Sequence, residues 1–437
     1  MTESDVRAPS EQPAAPVPGL DGRGRGTRKL LDDVVIIDTT IALSGPFATM
    51  LLAGLGARVI HIESPWGGDP ARNNAPYVGR EGVTLSRESD DDLSVGALAR
   101  LRNKESVTLN LKTSQGRAVF LDLCRKADVL FQNFSSGTMD RLGLGYTSVR
   151  AVNPAIVYCS ISGFGTGHTT EEGGTKAMDS IIQALSGAML TSGAEGDAPV
   201  RIGLPVADLS APLFGVIGAL AALHRARQTG EGQHVDVSML GALGSLVAVE
   251  PWQALESCGQ PTRTGAGLPR LAPFGNFATT DGFIALCGPM QEFAAGLFRA
   301  MGQPELIDDP RFATRDARVR NSAVLDDLIS AWAGSVTTDQ AIRLLTANGT
   351  PAAEIRSPAE AMRDPILRAR GEVVSVSHPR HGGAELAAPG IPIVFSDAPA
   401  GFDRGVAALG EDTDRVLNDL LGYSKGHVED LHQQGIL

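Results

Sequence analysis

Residues 34–38, VVIID, form a β-branched run with no polar alternation, the pattern of a short strand buried on both faces. The loop TTIALSG follows, then Pro46 at the place of a helix first turn, then FATMLLAGLG, which ends at Gly54 or Gly56. ARVIHIE reads as a second strand. A strand, a helix and a strand in so short a span leave little choice but a βαβ unit. The pattern recurs: SVTLNL is a strand, TSQGRAVFLDLCRKA an N-capped helix, DVLFQNF a strand, and AIVYCSISGF one more. A parallel sheet with helices on both faces is expected.

The texture changes after Gly230. QHVDVSM reads as a strand, Leu240 to Glu256 as an apolar helix, and FGNFATTDGFIALCG as two strands joined at Asp281-Gly282. Helical patterns fill Gln291 to Ala347, then EVVSVSHP and GIPIVFS return to strands before an amphipathic ending near DTDRVLNDLLG. The expected fold class is α/β. A large domain on a Rossmann-like parallel sheet spans 29–244 and resumes over 336–437, a smaller α+β domain is inserted over 245–335, and 1–28 form a disordered Pro/Ala/Gly-rich tail.

Composition narrows the function. The chain of 437 residues is long enough for two domains, and 43 % hydrophobic with 20 % charged residues fits a globular protein. A net charge of −12 and only 5 % aromatic residues argue against nucleic acid, which needs a basic face and stacking platforms. Cys124, Cys159, Cys258 and Cys287 are scattered without a CxxC pair, so no zinc site is expected, and three of them sit in apolar runs as core thiols would. A reducing cytoplasm is the natural compartment. The N-terminus lacks a signal-peptide apolar segment, and the stretch Leu209 to Leu223, broken by Ser, Pro and Gly, reads as a buried helix and not a membrane span.

Few residues announce chemistry. The loop IALSGP entering a helix can offer N–H groups to an anion, although most such loops are simple connections. Arg72, Arg102, Lys104 and Lys112 stand at element ends, where they suit either phosphates or a solvated edge. Asp179, in GGTKAMDSIIQALSG, opens an apolar helix, and N-capping accounts for it without catalysis. There is no G-x-S-x-G; His61 reads as a core or edge histidine, and His168 as a solvent-facing loop residue.

Taken together, these segments resemble the class III CoA-transferases, the family of formyl-CoA transferase and the carnitine CoA-transferases. The resemblance runs from about Leu30 to Gly422 through IIDTTIALSGPFATMLLAGLGARVIHIESPWGGDPAR, NKESVTLNLKTSQGRAVFLDLCRKADVLFQNFSSGTMDRLGLGY, NPAIVYCSISGFGTG, RIGLPVADLSAPLFGVIGALAALHRARQTGEGQHVDVSML, DDPRFATRDARVRN and ALGEDTDRVLNDLLG. It implies an interlocked homodimer, acyl-CoA and a carboxylic acid as substrates, and no tightly bound cofactor or metal. It places the catalytic Asp on Asp179 and makes Ala42, Leu43, Ser44, Arg72, Asn103, Lys104 and Lys112 candidates to line the coenzyme A site. The chemistry it implies is attack of a carboxylate on a thioester, through an aspartyl mixed anhydride and an aspartyl-CoA thioester.

Two positions depart from the family pattern. Met178 stands where an aromatic residue or His often precedes the Asp, and Asp412 stands where His is common. A 2-methylacyl-CoA racemase shares the fold, but its acid–base pair would fall on Met178 and Asp208, and a methionine carries no proton. A non-catalytic subunit is a further alternative, against which the retained Asp179 speaks. Around TRTGAGLPRLAPFGN, Arg263 and Arg270 are the available carboxylate-binding cations, and either a small apolar or a dicarboxylic acyl group is permitted.

Overall fold

The computed structural model describes residues 27–167, 176–268 and 270–437, so most of the expected tail, and His168 with the residues up to 175, lie outside the described residues. The chain divides into two compact units. One takes residues up to Met178, Ala207–Ala242 and Met362–Leu437; the other takes Asp179–Val206 and Leu243–Ala361.

The first unit is built on strands β1 (Val35–Asp38), β2 (Arg58–Glu63), β3 (Lys104–Thr108), β4 (Val129–Gln132), β5 (Val157–Ser162) and β6 (His234–Ser238). They form one sheet in the order β3-β2-β1-β4-β5-β6, every pair parallel. Crossover segments make this possible, because parallel neighbours cannot be joined by a tight turn. Helix α1 (Ser44–Gly54) links β1 to β2, with Pro46 in its first turn as expected. Helix α2 (Ser114–Cys124) links β3 to β4, and its N-cap Thr113 accepts a hydrogen bond from the Gly116 N–H. Gly45 lets α1 start close to the loop after β1: a Cβ there would lie 2.2 Å from Thr40 Cβ.

Helix α3 (Val206–Thr229) connects β5 to β6. It has 24 residues, and its most apolar 18-residue window has a mean hydropathy of 1.8, enough by length and composition to cross a bilayer. Its glycines instead seat it on the sheet. A Cβ at Gly215 would come within 3.2 Å of Ile161 Cδ1, and one at Gly218 within 2.6 Å of Val235 Cγ1. The opposite sheet face is covered by α2 and by the helices Thr413–Leu421 and Lys425–Gln433, whose Val416, Leu417, Val428 and Leu431 join Phe120, Leu123 and Leu130 in one core cluster. The C-terminal residues thus complete the core begun by the first strands.

The second unit carries an antiparallel sheet of β7 (Phe274–Ala278), β8 (Phe283–Cys287) and β9 (Ala352–Glu354). The Asp281-Gly282 turn is where the dipeptide placed it, and Asp281 Oδ1 also accepts from the backbone and hydroxyl of Thr338. Helices Gln291–Ala300, Ser322–Ala333 and Thr338–Ala347 pack over this sheet around Phe298, Phe312, Leu325 and Ile329. Because β9 pairs with β8, this unit runs past residue 335 to Ala361.

Three local readings differ from the structure. The helix expected from Leu240 to Glu256 is broken into Met239–Val247 and Trp252–Ser257, since Pro251 disfavours helical geometry in the residue before it. GIPIVFS is not a strand: Val373–His378 pairs instead with Gly382–Pro389 in a local hairpin, and Pro392 could not donate to a ladder. Cys287 is exposed, whereas Cys124 and Cys159 are core thiols.

Candidate active site

The sheet order reverses between β1 and β4, and ligands of open α/β sheets bind in the crevice at the carboxyl ends of such strands. A cavity of about 380 Å³ opens there in the first unit. Its walls come from the segments leaving β1 (Thr39, Thr40, Ile41), β2 (Ser64, Pro65, Trp66), β3 (Leu109 to Lys112) and β4 (Phe134), closed by Thr138, Arg141 and Leu142. Asn133 pins two of these segments together, its Oδ1 accepting from Ile41 N at 2.8 Å and its Nδ2 donating to Ile41 O at 2.9 Å. Trp66 is 66 % exposed, and Lys112 and Arg141 are also exposed, so the cavity offers rings and cations to an incoming molecule.

Beside it, α1 begins without a side-chain cap or an acidic residue in its first turn, and the buried Ser44 Oγ has no hydrogen-bond partner. Ala42 adopts a left-handed φ of 67°, and its N–H is held by Asp69 Oδ1 at 2.8 Å. The first turn of α1 is therefore suited to an anion.

Under this rim lies a buried ionic cluster. Lys104 Nζ donates to Asp38 Oδ2 at 2.9 Å, Pro46 O at 3.0 Å and Thr49 Oγ1 at 2.7 Å, which uses all three of its protons. His61 Nδ1 lies 3.0 Å from Asp38 Oδ2, with Nε2 3.4 Å from Asp69 Oδ2. Burial by itself would lower the His61 pKa, but the carboxylate of Asp38 outweighs it and raises the value to about 9. Burial likewise opposes ionisation of Glu63, yet the paired Arg72 guanidinium brings its pKa down to about 2.

The candidate coenzyme A residues therefore separate. Lys112 lines the cavity, and Ala42, Leu43 and Ser44 form the start of α1 next to it. Arg72 is engaged internally, with Glu63 and the carbonyl of Ala407. Asn103 holds the loop Asp403–Arg404 through its Oδ1 and the end of α1 through Ala53 O. The Lys104 side chain is 1 % exposed and is paired with Asp38 beneath the loop, not on the cavity wall. The sequence reading missed Trp66, Phe134 and Arg141, because a tryptophan in a loop and a cation in a short helix carry no periodic signal.

In the second unit Asp179 opens the helix Asp179–Leu185. Its side chain is 11 % exposed, and its Oδ2 accepts from Gln183 Nε2 at 2.7 Å, with Arg201 Nη1 4.0 Å away. Gln183 is buried, and is fixed by Ile202 N donating to its Oε1 at 2.9 Å and by its own Nε2 donating to Leu204 O at 3.1 Å. Met178, next to the carboxylate, is 67 % exposed. Arg263 is spent on the carbonyls of Ser192, Asp197 and Ala198, and Arg270 pairs with Glu250. Neither guanidinium is thus an uncommitted substrate anchor.

The profile of CoA-transferase family III matches residues 31–413. This chain belongs to CoA-transferase family III. The CoA-transferase is 35 % identical over 412 residues to a succinyl-CoA–D-citramalate CoA-transferase of Chloroflexus aurantiacus, covering 93 % of this chain and 98 % of that one. It is 36 % identical over 369 residues to an acetyl-CoA:oxalate CoA-transferase of Acetobacter aceti, covering 84 % and 89 %. Among solved structures, a CaiB/BaiF family protein from Brucella suis matches with a TM-score of 0.76 and 31 % identity, over 90 % of this chain and 100 % of that one. The resemblance read from the motifs is thereby established, and the CoA-transferase is an enzyme that uses CoA thioesters as substrates.

Proposed function

We propose that this enzyme transfers coenzyme A from a short-chain acyl-CoA to a carboxylic acid, with Asp179 as covalent nucleophile. The observation that carries the reading is the Asp179 carboxylate, largely withdrawn from solvent and oriented by a buried amide, at the position the family resemblance gives to the catalytic Asp. Partial burial strips water from a carboxylate that would otherwise be a weak nucleophile. Asp179 Oδ1 attacks the donor thioester carbonyl, the C–S bond breaks, and the thiolate leaves behind a mixed anhydride. The thiolate then attacks Asp179 Cγ and expels the donor acid as its carboxylate. The acceptor carboxylate repeats both steps in reverse on the aspartyl-CoA thioester. Each exchange trades one activated carbonyl for another, so no external energy source is required.

The cavity at the switch point is suited to the nucleotide end of coenzyme A, with Trp66 and Phe134 against the base and Lys112, Arg141 and the Ala42–Ser44 turn near phosphates. The relatives' names support a dicarboxylic donor or acceptor for this chain. An interlocked homodimer, supported by the family resemblance, and a cytoplasmic setting, supported by the scattered cysteines, are further parts of this reading, checked by sedimentation and fractionation. Met178 speaks against the racemase alternative, since a thioether neither gives nor takes a proton.

The test is an exchange panel of acyl-CoA donors and free acids, read by mass spectrometry, with Asp179→Ala alongside. Transfer by the wild type and loss of at least ~10³-fold in the variant is expected for removal of a nucleophile. Full activity in the variant would overturn the mechanism, and silence of the wild type across the panel would favour a non-catalytic subunit.

A further inference from the structure

We infer that Gln183 is a second catalytic group, whose side-chain amide stabilises the oxyanion formed on Asp179 itself; the inference rests on Asp179 being the covalent nucleophile. Four observations within one unit carry it. Gln183 is fully buried, and its Nε2 lies 2.7 Å from Asp179 Oδ2. The amide cannot be turned around: the Ile202 N–H only donates, so it fixes Oε1, and the Leu204 carbonyl only accepts, so it fixes Nε2. Both amide protons are then assigned, one to Leu204 O and the other to Asp179 Oδ2. Lastly, the donor sits one helical turn after Asp179 in the same helix, so it moves with the carboxylate it serves.

The cycle contains two kinds of tetrahedral intermediate. When Asp179 Oδ1 attacks the donor thioester, and when the thiolate attacks the acceptor acyl group, negative charge develops on a substrate oxygen. When the thiolate attacks Cγ of the mixed anhydride, the new C–S bond pushes the electron pair of the Cγ carbonyl onto Oδ2. Collapse of that intermediate restores the carbonyl and expels the donor carboxylate with Oδ1. Attack of the acceptor carboxylate on the aspartyl-CoA thioester again places the pair on Oδ2, and collapse breaks the C–S bond. In both of these steps the oxygen gaining charge is the one that Gln183 already holds. A fixed donor aimed there needs no reorganisation as the charge appears. The same bond restrains the resting carboxylate slightly, so Gln183 acts chiefly on the steps at Cγ.

The experiment isolates one of these steps. Wild-type enzyme mixed with succinyl-CoA and no free acid accumulates the aspartyl-CoA thioester, which intact-protein mass spectrometry detects; labelled succinate is then added and thioester decay is timed. Gln183→Glu preserves the shape and the acceptor for Ile202 N, and it donates to Oδ2 only while its carboxyl is protonated. Burial and the neighbouring carboxylate raise that carboxyl's pKa, so the variant is assayed from acid to alkaline pH. Once that carboxyl is ionised, decay of its thioester is expected to be ~10²–10³-fold slower than wild type, the usual cost of losing one oxyanion donor. The rate should recover as the pH falls and the introduced carboxyl gains a proton to donate, while succinyl-CoA affinity stays within a few-fold. Gln183→Met, checked for fold by circular dichroism, should be slow at every pH. Thioester decay at the wild-type rate in Gln183→Met, or in Gln183→Glu at every pH, or equal slowing of both variants with no recovery in acid, would overturn the inference and leave Asp179 as nucleophile. Absence of any thioester in the wild type with every donor of the exchange panel would instead overturn the underlying reading together with it.

Discussion

Replacing Lys104 by methionine tests whether this cation belongs to the protein interior or to a ligand. The stem of methionine fills most of the same space, so the change removes a charge more than a volume. Lys104 Nζ makes three hydrogen bonds, to Asp38 Oδ2, Pro46 O and Thr49 Oγ1, and both members of its ion pair with Asp38 are buried. Without it Asp38 keeps the Thr40 N–H, the Thr40 and Thr49 hydroxyls and the imidazole of His61, but one full counter-charge is gone. Removing one partner of a buried pair costs about 3–5 kcal/mol, most of it from the charge left uncompensated. With a urea dependence near 3 kcal/mol/M this shifts the unfolding midpoint of the first unit down by about 1 M or more. Unfolding followed by circular dichroism reads the shift, and adding Asp38→Asn should return part of it, because the orphaned charge disappears. Affinity of the folded variant for acyl-CoA should change little. An unchanged midpoint combined with a tenfold or greater loss of acyl-CoA affinity would refute this reasoning and return Lys104 to the ligand.

The remaining expectations concern the cavity and its floor. Lys112→Ala and Arg141→Ala should each raise the KM for acyl-CoA by roughly 5–30-fold at low salt, as a lost charge-assisted contact does, with kcat little changed and the effect shrinking as salt rises. An unaltered KM in both would place the nucleotide elsewhere. His61 has a folded pKa of about 9 against an ordinary 6.5, so its stabilising share is complete below pH 6.5 and is lost as pH rises through 9. Wild-type stability should therefore fall between about pH 6.5 and 9.5, by a few kcal/mol at most, whereas His61→Gln should show a flatter profile in urea titrations across that window. Equal slopes for the two proteins would refute the assignment.

Much of this chain was legible from residues alone. Short apolar β-branched runs favour a buried strand, and the glycines, Thr113 and Asp281-Gly282 marked where elements start and stop. Those are local effects, carried by neighbours in sequence. Asp179 was visible only through the family resemblance, since an N-cap and a nucleophile look alike in one dimension. Its partner Gln183 sits just one turn away, but the bonds that orient the amide come from the segment Ile202–Leu204.

The cations show the division most clearly. In sequence, Lys104 and Lys112 are equivalent charges at the two ends of one strand region. In the folded unit, Lys104 points beneath the loop into Asp38 and disappears from solvent, while Lys112 stands at the rim of the cavity. Periodicity pointed to a parallel sheet, and the motif resemblance, not composition, pointed to the family and its chemistry. Only tertiary structure decided which charges face inward, because the sign and reach of a side chain are local properties, whereas its dielectric surroundings and its partner are set by residues far away in the chain.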